Sequence, residues 1–225
     1  MKDEIVKIHK KYHKEEDNGE FYNWSRNQYL LKVYPHLRKK KILLDVGCGA
    51  GIVGKVLLER NYDVYGIEID ANAAKIARKK GLKVKVGDVQ EKYPFKDNYF
   101  DEVFLGDIIE HVYLPENVIK ELFRVLKPSG RLVVSTVNYS NFVWRIKYLI
   151  MGKIPKSESG DKGKSIACWE HIRLWDFDSL IEFITSNHFK HKKTIGINYF
   201  GIFPKFLYEN FPKYFSAVNL YVFNK

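Results

Sequence analysis

The sequence is poor in cysteine and has no long hydrophobic run. Two of its 225 residues are cysteines, Cys48 and Cys168, and two such distant thiols make no disulfide framework. No stretch offers about eighteen uninterrupted apolar residues, which argues against a transmembrane helix. The first residues, MKDEIVKIHKKYHKEED, are charged throughout and lack the apolar centre of a signal peptide. We therefore expect a cytoplasmic protein.

Acidic residues are also few compared with basic ones. The chain has 38 Lys and Arg against 27 Asp and Glu, which gives a net charge of +11. This surplus favours anionic partners such as RNA, phosphorylated metabolites or an acidic membrane surface, and does not choose among them. A solvated basic surface explains it equally well. With no repeats or low-complexity tracts, the length suits one sizeable α/β domain with additions.

The stretch KILLDVGCGAGIVG, residues 41–54, organises the chain. Its apolar first half predicts a buried parallel strand, and its three alternate glycines predict a turn. The residues after the glycines predict a helix. Such glycines let a ligand lie close to the main chain. A dinucleotide fold needs its third glycine at position 52, which is Ile52, and Asp45 would repel a pyrophosphate but attract an ammonium group. The pattern therefore favours an amino acid joined to a nucleoside.

The segment LLDVGCGAG resembles motif I of the class I S-adenosylmethionine-dependent methyltransferases, and LKPSGRLVVS further along is also typical of them. The resemblance implies an α/β, Rossmann-like three-layer sandwich with a seven-stranded, mostly parallel sheet and an antiparallel last strand. It implies S-adenosylmethionine as the cofactor. We expect a single methyltransferase domain over residues 1–225, with N-terminal helices (1–40), a cofactor-binding core (41–138), an acceptor-side lid insertion (139–175) and a C-terminal helix with the last strands (176–225).

Hydrophobic periodicity predicts the elements around this motif. Before it, we expect a charged helix over residues 1–16 and a second helix over 21–37. After it, Gly106 and Asp107 should open a helical segment, IIEHV, and Lys127-Pro128-Ser129-Gly130 should stop a later helix before the strand RLVVSTV. Further predicted strands cover 62–69, 82–86 and 100–105, a helix covers 71–80, and the stretches HKKTIGINYF and AVNLYVFNK near the C-terminus are strand-like.

Carboxylates after two predicted strands suit the nucleoside. Glu68 can accept hydrogen bonds from both ribose hydroxyls, whereas Asp70 should cap the next helix. Asp88 can accept from the adenine amino group, an assignment that the family's G-D-x turn supports. The resemblance also places Arg26 near the cofactor, as in methyltransferases that modify ubiquinone precursors, although a surface arginine is the alternative. The predicted cofactor-binding set is Arg26, Asp45, Gly47, Cys48, Gly49, Gly51, Glu68, Ile69, Asp88, Val89, Leu105 and Gly106.

Two histidines are the candidate catalytic residues. His111 follows Glu110 and has a pKa suited to a general base, although a structural role in a helix is equally consistent with its position. His171 lies in the predicted lid, in a stretch (HIRLWDF) that resembles MetW-like proteins and sugar- or lipid-modifying methyltransferases. Cys168-x-x-His171 provides only two metal ligands without a second pair, so no metal site is predicted.

The acceptor is less defined than the donor. The sequence LGDII replaces the N-P-P-Y motif of enzymes that methylate adenine or amide nitrogen, and neither cysteine follows proline, as a cytosine-carbon enzyme would require. The leading hypothesis is O-methylation of a small molecule, sugar or lipid-linked intermediate. The alternatives are an RNA methyltransferase, because of the charge, and a non-catalytic cofactor-binding accessory protein like MetW.

Overall fold

A single mixed sheet lies at the centre of the computed structural model, which describes residues 30–152, 171–198 and 203–225. Within these residues the sheet has seven strands in the order β3-β2-β1-β4-β5-β7-β6. Strands β1 to β5 run parallel, and β7 pairs antiparallel with both β5 and β6. The prediction of a Rossmann-like sheet with an antiparallel last strand is confirmed. The strands are β1 (Lys41–Val46), β2 (Tyr62–Glu68), β3 (Lys83–Val86), β4 (Phe100–Gly106), β5 (Leu126–Val137), β6 (Lys190–Ile197) and β7 (Val218–Asn224).

Helices follow the strands along the chain. They are α1 (Ile52–Leu58), α2 (Ala71–Lys79), α3 (Pro115–Val125), α4 (Phe142–Met151), α5 (Phe177–Ser186), α6 (Lys205–Asn210) and α7 (Pro212–Phe215). Residues 30–33 are also helical, which is the described part of the helix predicted over 21–37, whereas the helix predicted over 1–16 lies outside the described residues. None of the helices that the structure describes is long and apolar enough to cross a membrane.

The core has two halves, one on each face of the sheet. Successive side chains of a strand point to opposite faces, so Leu43 packs in one half and Leu44 in the other. The half that contains Leu44 includes the buried residues of α3 and α5. The half that contains Leu43 includes residues of α1, α2 and the helical turn at 30–33. Two helical layers therefore enclose the sheet, which makes three layers in all.

The segment IIEHV is a turn, and the prediction of a helix there is wrong. Asp107 takes a φ of 52°, outside the range of a right-handed helix, and the amide of His111 donates to the carbonyl of Ile108 at 2.9 Å. Helix α3 begins only at Pro115, where the fixed φ of proline suits a first helical turn. His111 therefore lies in a loop at the end of β4.

Strand β5 also begins earlier than predicted. Phe100 pairs with Leu126 and Glu102 pairs with Arg131, so the chain between Leu126 and Arg131 bulges out of register. Ser129, within that bulge, has a φ of 62°. The KPSG sequence ends helix α3, as expected, but it lies within the first part of the strand instead of in front of it.

A buried ionic cluster joins three neighbouring strands. The carboxylate of Glu102 on β4 is 2 % exposed; it pairs with Arg131 on β5 and, at 2.8 Å, with Lys41 on β1. Arg131 also donates to the carbonyl of Val33 at 2.8 Å and lies over the ring of Tyr34. Because Arg131 contacts both the sheet and the segment at 33–34, it fixes that segment against the core.

Candidate active site

Polar groups collect where the parallel strands end. The carboxyl ends of β1, β2, β3 and β4 lie along one edge of the sheet, and the strand order reverses between β1 and β4. In open α/β sheets, ligands bind at such a reversal, outside the carboxyl ends of the strands. Here that edge carries the glycine turn after β1, Glu68 at the end of β2, Asp88 after β3 and the turn at 107–112 after β4.

Glu68 holds the glycine turn in place. One of its carboxylate oxygens accepts from the amide of Gly49 and the other from the amide of Asp70, both at 2.8 Å. The side chain is 2 % exposed. A carboxylate offers about four lone-pair sites, so these two bonds leave acceptor capacity for hydroxyl donors. The neighbouring Asp70 caps α2 by accepting from Asn72 at 3.0 Å, which confirms the predicted cap.

Two positions of the turn require glycine, because the backbone has a positive φ and a Cβ atom would have no room. Gly47 has a φ of +70°, and a Cβ atom there would meet Cδ1 of Ile108 at 2.3 Å. Gly51 has a φ of +76°, and a Cβ atom there would lie 2.8 Å from Cβ of Ala77 on α2. The glycines therefore serve the packing of the Ile108 loop and of α2, in addition to any approach of a ligand to the main chain.

The loop after β3 is tied to the loop after β4. Asp88 accepts from the backbone amide of Gln90 at 2.9 Å. The side-chain oxygen of Gln90 accepts in turn from the amides of Tyr113 at 2.7 Å and Leu114 at 3.0 Å. Sequence reasoning missed Gln90, because a glutamine in a polar loop gives no signal until its partners in the other loop are known.

These elements line a cleft of about 450 Å³, part of which is open to solvent. Its lining residues are Gly47, Glu68, Ile69, Asp88, Val89, Gln90, Ile108, His111 and Val112. Two carboxylates suit hydroxyl and amino donors, four aliphatic side chains suit a flat base, and this lining includes no Lys or Arg for a phosphate. The cleft therefore fits a nucleoside better than a dinucleotide.

Five of the predicted cofactor-binding residues, Gly47, Glu68, Ile69, Asp88 and Val89, are among the lining residues. Asp45 and Leu105 are buried and are not among them. Cys48 packs its sulfur towards β2, where a Cβ atom on Gly66 would lie 2.6 Å from it. Burial and the nearby carboxylates of Asp45 and Glu68 raise the pKa of the Cys48 thiol, which keeps it uncharged. Gly49, Gly51 and Gly106 lie near the cleft in sequence but do not line it, and Arg26 lies outside the described residues.

The two candidate catalytic histidines meet beside this cleft. The rings of His111 and His171 lie edge to face, with centroids 4.6 Å apart. Two backbone amides next to His171, those of Ile172 and Arg173, donate to the carbonyl of Glu110 at 3.0 and 3.2 Å. The hydroxyl of Tyr139 contacts Nδ1 of His171. Glu110 is buried, and its carboxylate lies within 4.8 Å of a ring nitrogen of each histidine.

Side chains after His171 anchor this segment further. The guanidinium of Arg173 donates to the carbonyls of Val112 at 2.6 Å and Tyr113 at 3.0 Å. The indole N–H of Trp175 donates to the carbonyl of Ile109 at 3.3 Å. The described end of the predicted lid is therefore bonded to the turn that carries His111. The assignment of residues 139–175 as a lid stays a prediction, and Cys168 lies outside the described residues.

Comparisons with known proteins agree with this geometry. Residues 44–134 match the family model described as a methyltransferase domain. A ubiquinone biosynthesis O-methyltransferase of Photorhabdus laumondii is 29% identical over 194 residues, covering 80% of this chain and 75% of the relative. An uncharacterized protein of Methanocaldococcus jannaschii is 28% identical over 209 residues, or 85% of this chain and 81% of that protein.

A solved structure extends the likeness in fold to the whole chain. A methyltransferase of Thermotoga maritima, described as a possible histamine N-methyltransferase, matches with a TM-score of 0.69 and 21% identity over 100% of both chains. The Rossmann-like sheet, the glycine turn and the acidic strand ends together define a class I methyltransferase fold. Residues 44–134 form a methyltransferase domain, and the chain has the fold of S-adenosylmethionine-dependent methyltransferases, which use that cofactor.

Proposed function

We propose that the protein transfers a methyl group from S-adenosylmethionine to a hydroxyl oxygen of a small-molecule, sugar or lipid-linked acceptor. The observation that carries this proposal is the position of His111. It lines the same cleft as Glu68 and Asp88, and it lies against His171 and beside Glu110. A hydroxyl acceptor must lose a proton during methyl transfer, and imidazole is the side chain best suited to accept one near neutral pH.

In this proposal, residues at the strand ends bind the cofactor. Glu68 accepts from the ribose hydroxyls while its bonds to Gly49 and Asp70 keep the carboxylate in place. Asp88 accepts from the adenine amino group, and the main chain of Val89 pairs with the ring. The remaining predicted contacts belong to the same proposal, and they are Arg26, Asp45, Gly47, Cys48, Gly51, Ile69, Leu105 and Gly106.

The bound cofactor supplies a methyl group already activated on a sulfonium, so the protein mainly aligns the acceptor and excludes water. His111 takes the hydroxyl proton as the oxygen forms its bond to the methyl carbon and the carbon–sulfur bond breaks. Both electrons of the broken bond stay on sulfur. His171 and Glu110 orient the ring of His111 and offset the charge that it gains.

Two observations support a lipid-linked acceptor. Relatives at about 28% identity are named ubiquinone biosynthesis O-methyltransferases. Helix α4 has no buried residue, and its second half exposes Tyr148, Leu149, Ile150 and Met151, with Leu149 84 % exposed. Arg145 and Lys147 accompany these side chains on the helix. Apolar side chains with basic neighbours suit a long hydrocarbon tail at an anionic lipid surface.

Labelled cofactor tests the proposal directly. Purified protein is incubated with methyl-labelled S-adenosylmethionine and cell extract separated into metabolite, lipid and RNA pools. We expect label in the metabolite or lipid pool, and mild alkali should leave it in place, as an ether requires. His111→Gln should lower the rate about 100-fold or more, whereas the exposed His36→Gln serves as a matched control.

Other outcomes contradict the proposal in distinct ways. Label found only in RNA, with binding that weakens steeply as salt rises, would identify an RNA methyltransferase. Turnover that requires a co-purifying enzyme would identify an accessory protein.

A further inference from the structure

Three metal-binding side chains come together beside the cofactor cleft. Glu110, His111 and His171 each offer one ligand atom, and these atoms all lie within 4.8 Å of one another. Two of the three come from the turn after β4, and the third is brought to it by backbone bonds to the carbonyl of Glu110. We propose that Glu110, His111 and His171 bind a divalent transition-metal ion.

The spacing of the three donors is close to that of an occupied site. Metal bonds of about 2.1 Å place the donors of a tetrahedral site about 3.4 Å apart. The observed limit of 4.8 Å is wider, so small rotations of the side chains close the site around an ion. The amides of Ile172 and Arg173 already fix the His171 segment to Glu110.

The donor set selects the class of ion. Two imidazoles and one carboxylate suit Zn²⁺, Fe²⁺, Co²⁺ or Mn²⁺, whereas Mg²⁺ and Ca²⁺ prefer oxygen ligands only. Three protein ligands leave at least one coordination position for water or substrate, as catalytic zinc sites do. The sequence predicted no metal here, because it considered His171 with Cys168 and not with Glu110 and His111.

Tyr139 orients one of the ligands. Its hydroxyl contacts Nδ1 of His171, so we assign Nε2 as the nitrogen that binds the ion. With the ion on Nε2, Nδ1 carries the proton and donates to the tyrosine oxygen. Hydrogen bonds of this kind fix the tautomer and direction of ligating histidines, and their loss costs about 10- to 100-fold in metal affinity. Tyr139 is thus a positioning residue.

The ion has a place in the reaction, an inference that rests on the proposed function. His111 lines the cleft, so an ion held by Glu110, His111 and His171 would lie beside the space proposed for the cofactor. There it would lower the pKa of an acceptor hydroxyl, and water, in place of His111, would accept the proton. The acceptor oxygen would form its bond to the methyl carbon as the carbon–sulfur bond breaks, with the electron pair left on sulfur. Both histidines would then be ligands.

Titration with cobalt tests the site without an assay of activity. The full chain is freed of metal with a chelator, dialysed, and titrated with Co²⁺ and Zn²⁺ by calorimetry, and Co²⁺ is also followed by visible absorption. We expect one Co²⁺ per chain with the absorption of a nitrogen- and oxygen-ligated ion, and displacement of it by Zn²⁺. His171→Gln, His111→Gln and Glu110→Gln should each weaken Co²⁺ binding by about 100-fold or more, and Tyr139→Phe should weaken it about tenfold and alter the spectrum. His36→Gln is the matched control and should bind as wild type does.

A second measurement needs no variant. Co²⁺ bound at this site lies close enough to the cleft to broaden the proton resonances of bound demethylated cofactor, whereas Zn²⁺ does not. Absence of stoichiometric binding, unchanged cofactor resonances, or equal Co²⁺ affinity in the three ligand variants would overturn the metal site. Methylation of a hydroxyl at full rate by metal-free protein would overturn the part of the ion in the reaction while leaving the proposed function intact. Cobalt binding as expected, with label only on RNA, would instead overturn the proposed function alone.

Discussion

The imidazole rings of His111 and His171 meet edge to face with centroids 4.6 Å apart, although one follows β4 and the other precedes α5. The contact depends on backbone bonds from residues 172 and 173 to the carbonyl of Glu110. It brings the segment that begins at His171 to the edge of the sheet where the cleft lies. The chemistry that we propose for the protein depends on this single meeting of two loops.

Replacing Glu68 should weaken cofactor binding. Glu68→Ala removes the acceptor for the amides of Gly49 and Asp70 as well as for the ribose. Hydrogen bonds to a charged group contribute about 1.5–3 kcal/mol each, so we expect the dissociation constant to rise roughly 10- to 100-fold. Calorimetry with S-adenosylmethionine and its demethylated product measures this, with the exposed Glu59→Ala as control. Equal affinity in wild type and Glu68→Ala would disprove the ribose assignment.

Gln90 should slow hydrogen exchange of backbone amides in the loop that precedes α3. Its side-chain oxygen accepts from the amides of Tyr113 and Leu114, and Gln90→Leu leaves both without that acceptor. We expect these two amides to exchange with solvent about tenfold faster, because a lost hydrogen bond of about 1 kcal/mol shifts local opening by that order. Gln90→Glu keeps the acceptor oxygens and should retain the protection. Unchanged exchange in Gln90→Leu would show that the loop is held by other contacts.

Breaking the buried ion pair should cost far more stability than breaking an exposed one. Arg131→Met leaves the buried Glu102 paired with Lys41 and removes the bond to Val33. We expect the free energy of unfolding to fall by about 3 kcal/mol or more. Lys127→Met breaks the half-exposed pair with Asp101 and should cost about 0–1 kcal/mol. Urea denaturation gives both values, and similar losses in the two variants would contradict this reasoning.

Asp176 should make stability depend on pH. Its carboxylate caps α5 by accepting from the amides of Asp178 and Ser179. Partial burial acts to raise the pKa of Asp176, but the hydrogen bonds from Ser179 and Asp178 outweigh it and lower the pKa. A lowered pKa means that the carboxylate stabilises the fold above its unfolded pKa, and that this contribution is lost as the pH falls through the folded value.

Two variants of Asp176 distinguish the stability that comes from the capping hydrogen bonds from the stability that comes from the negative charge. Asp176→Ala should cost about 1 kcal/mol at neutral pH. Asp176→Asn keeps a capping oxygen and should lose only the contribution of the charge, about 0.3–1 kcal/mol, a difference that should shrink as the pH falls below the ordinary pKa of aspartate. Unfolding measured from neutral pH down to pH 3 tests this. A wild-type advantage over Asp176→Asn that grows in acid would contradict the sign.

The exposed face of α4 should matter for long acceptors and not for folding. The double variant Leu149→Ser and Ile150→Ser changes side chains that are 84 % and 76 % exposed, so the free energy of unfolding should change by less than about 0.5 kcal/mol for each substitution. We expect a higher KM for acceptors with a long hydrocarbon tail and an unchanged KM for short analogues. Ile76→Ser, on α2, is the control for an exposed isoleucine elsewhere. Equal effects on long and short acceptors would argue against this role.

Much of the framework followed from local patterns. The strand, glycine turn and helix at residues 41–54, the acidic residue at the end of β2 and the cap at Asp70 each depend on neighbours in the sequence, and each was predicted within a few residues. The turn at IIEHV was mistaken for a helix because its apolar spacing resembles one. The left-handed backbone of Asp107 and the start of α3 at Pro115 set a different path.

The sequence by itself predicted the buried strand, the glycine turn and the strand-end carboxylates, because these are short-range features, and its resemblance to a known family implied the seven-stranded sheet and the cofactor. Only the tertiary structure decided that Gln90 joins two loops, that Cys48 faces β2, and that Glu110, His111 and His171 lie together. These relationships depend on how distant segments pack and exchange backbone hydrogen bonds. Such contacts leave no periodic pattern or fixed spacing in the sequence, so they cannot be recognised from it.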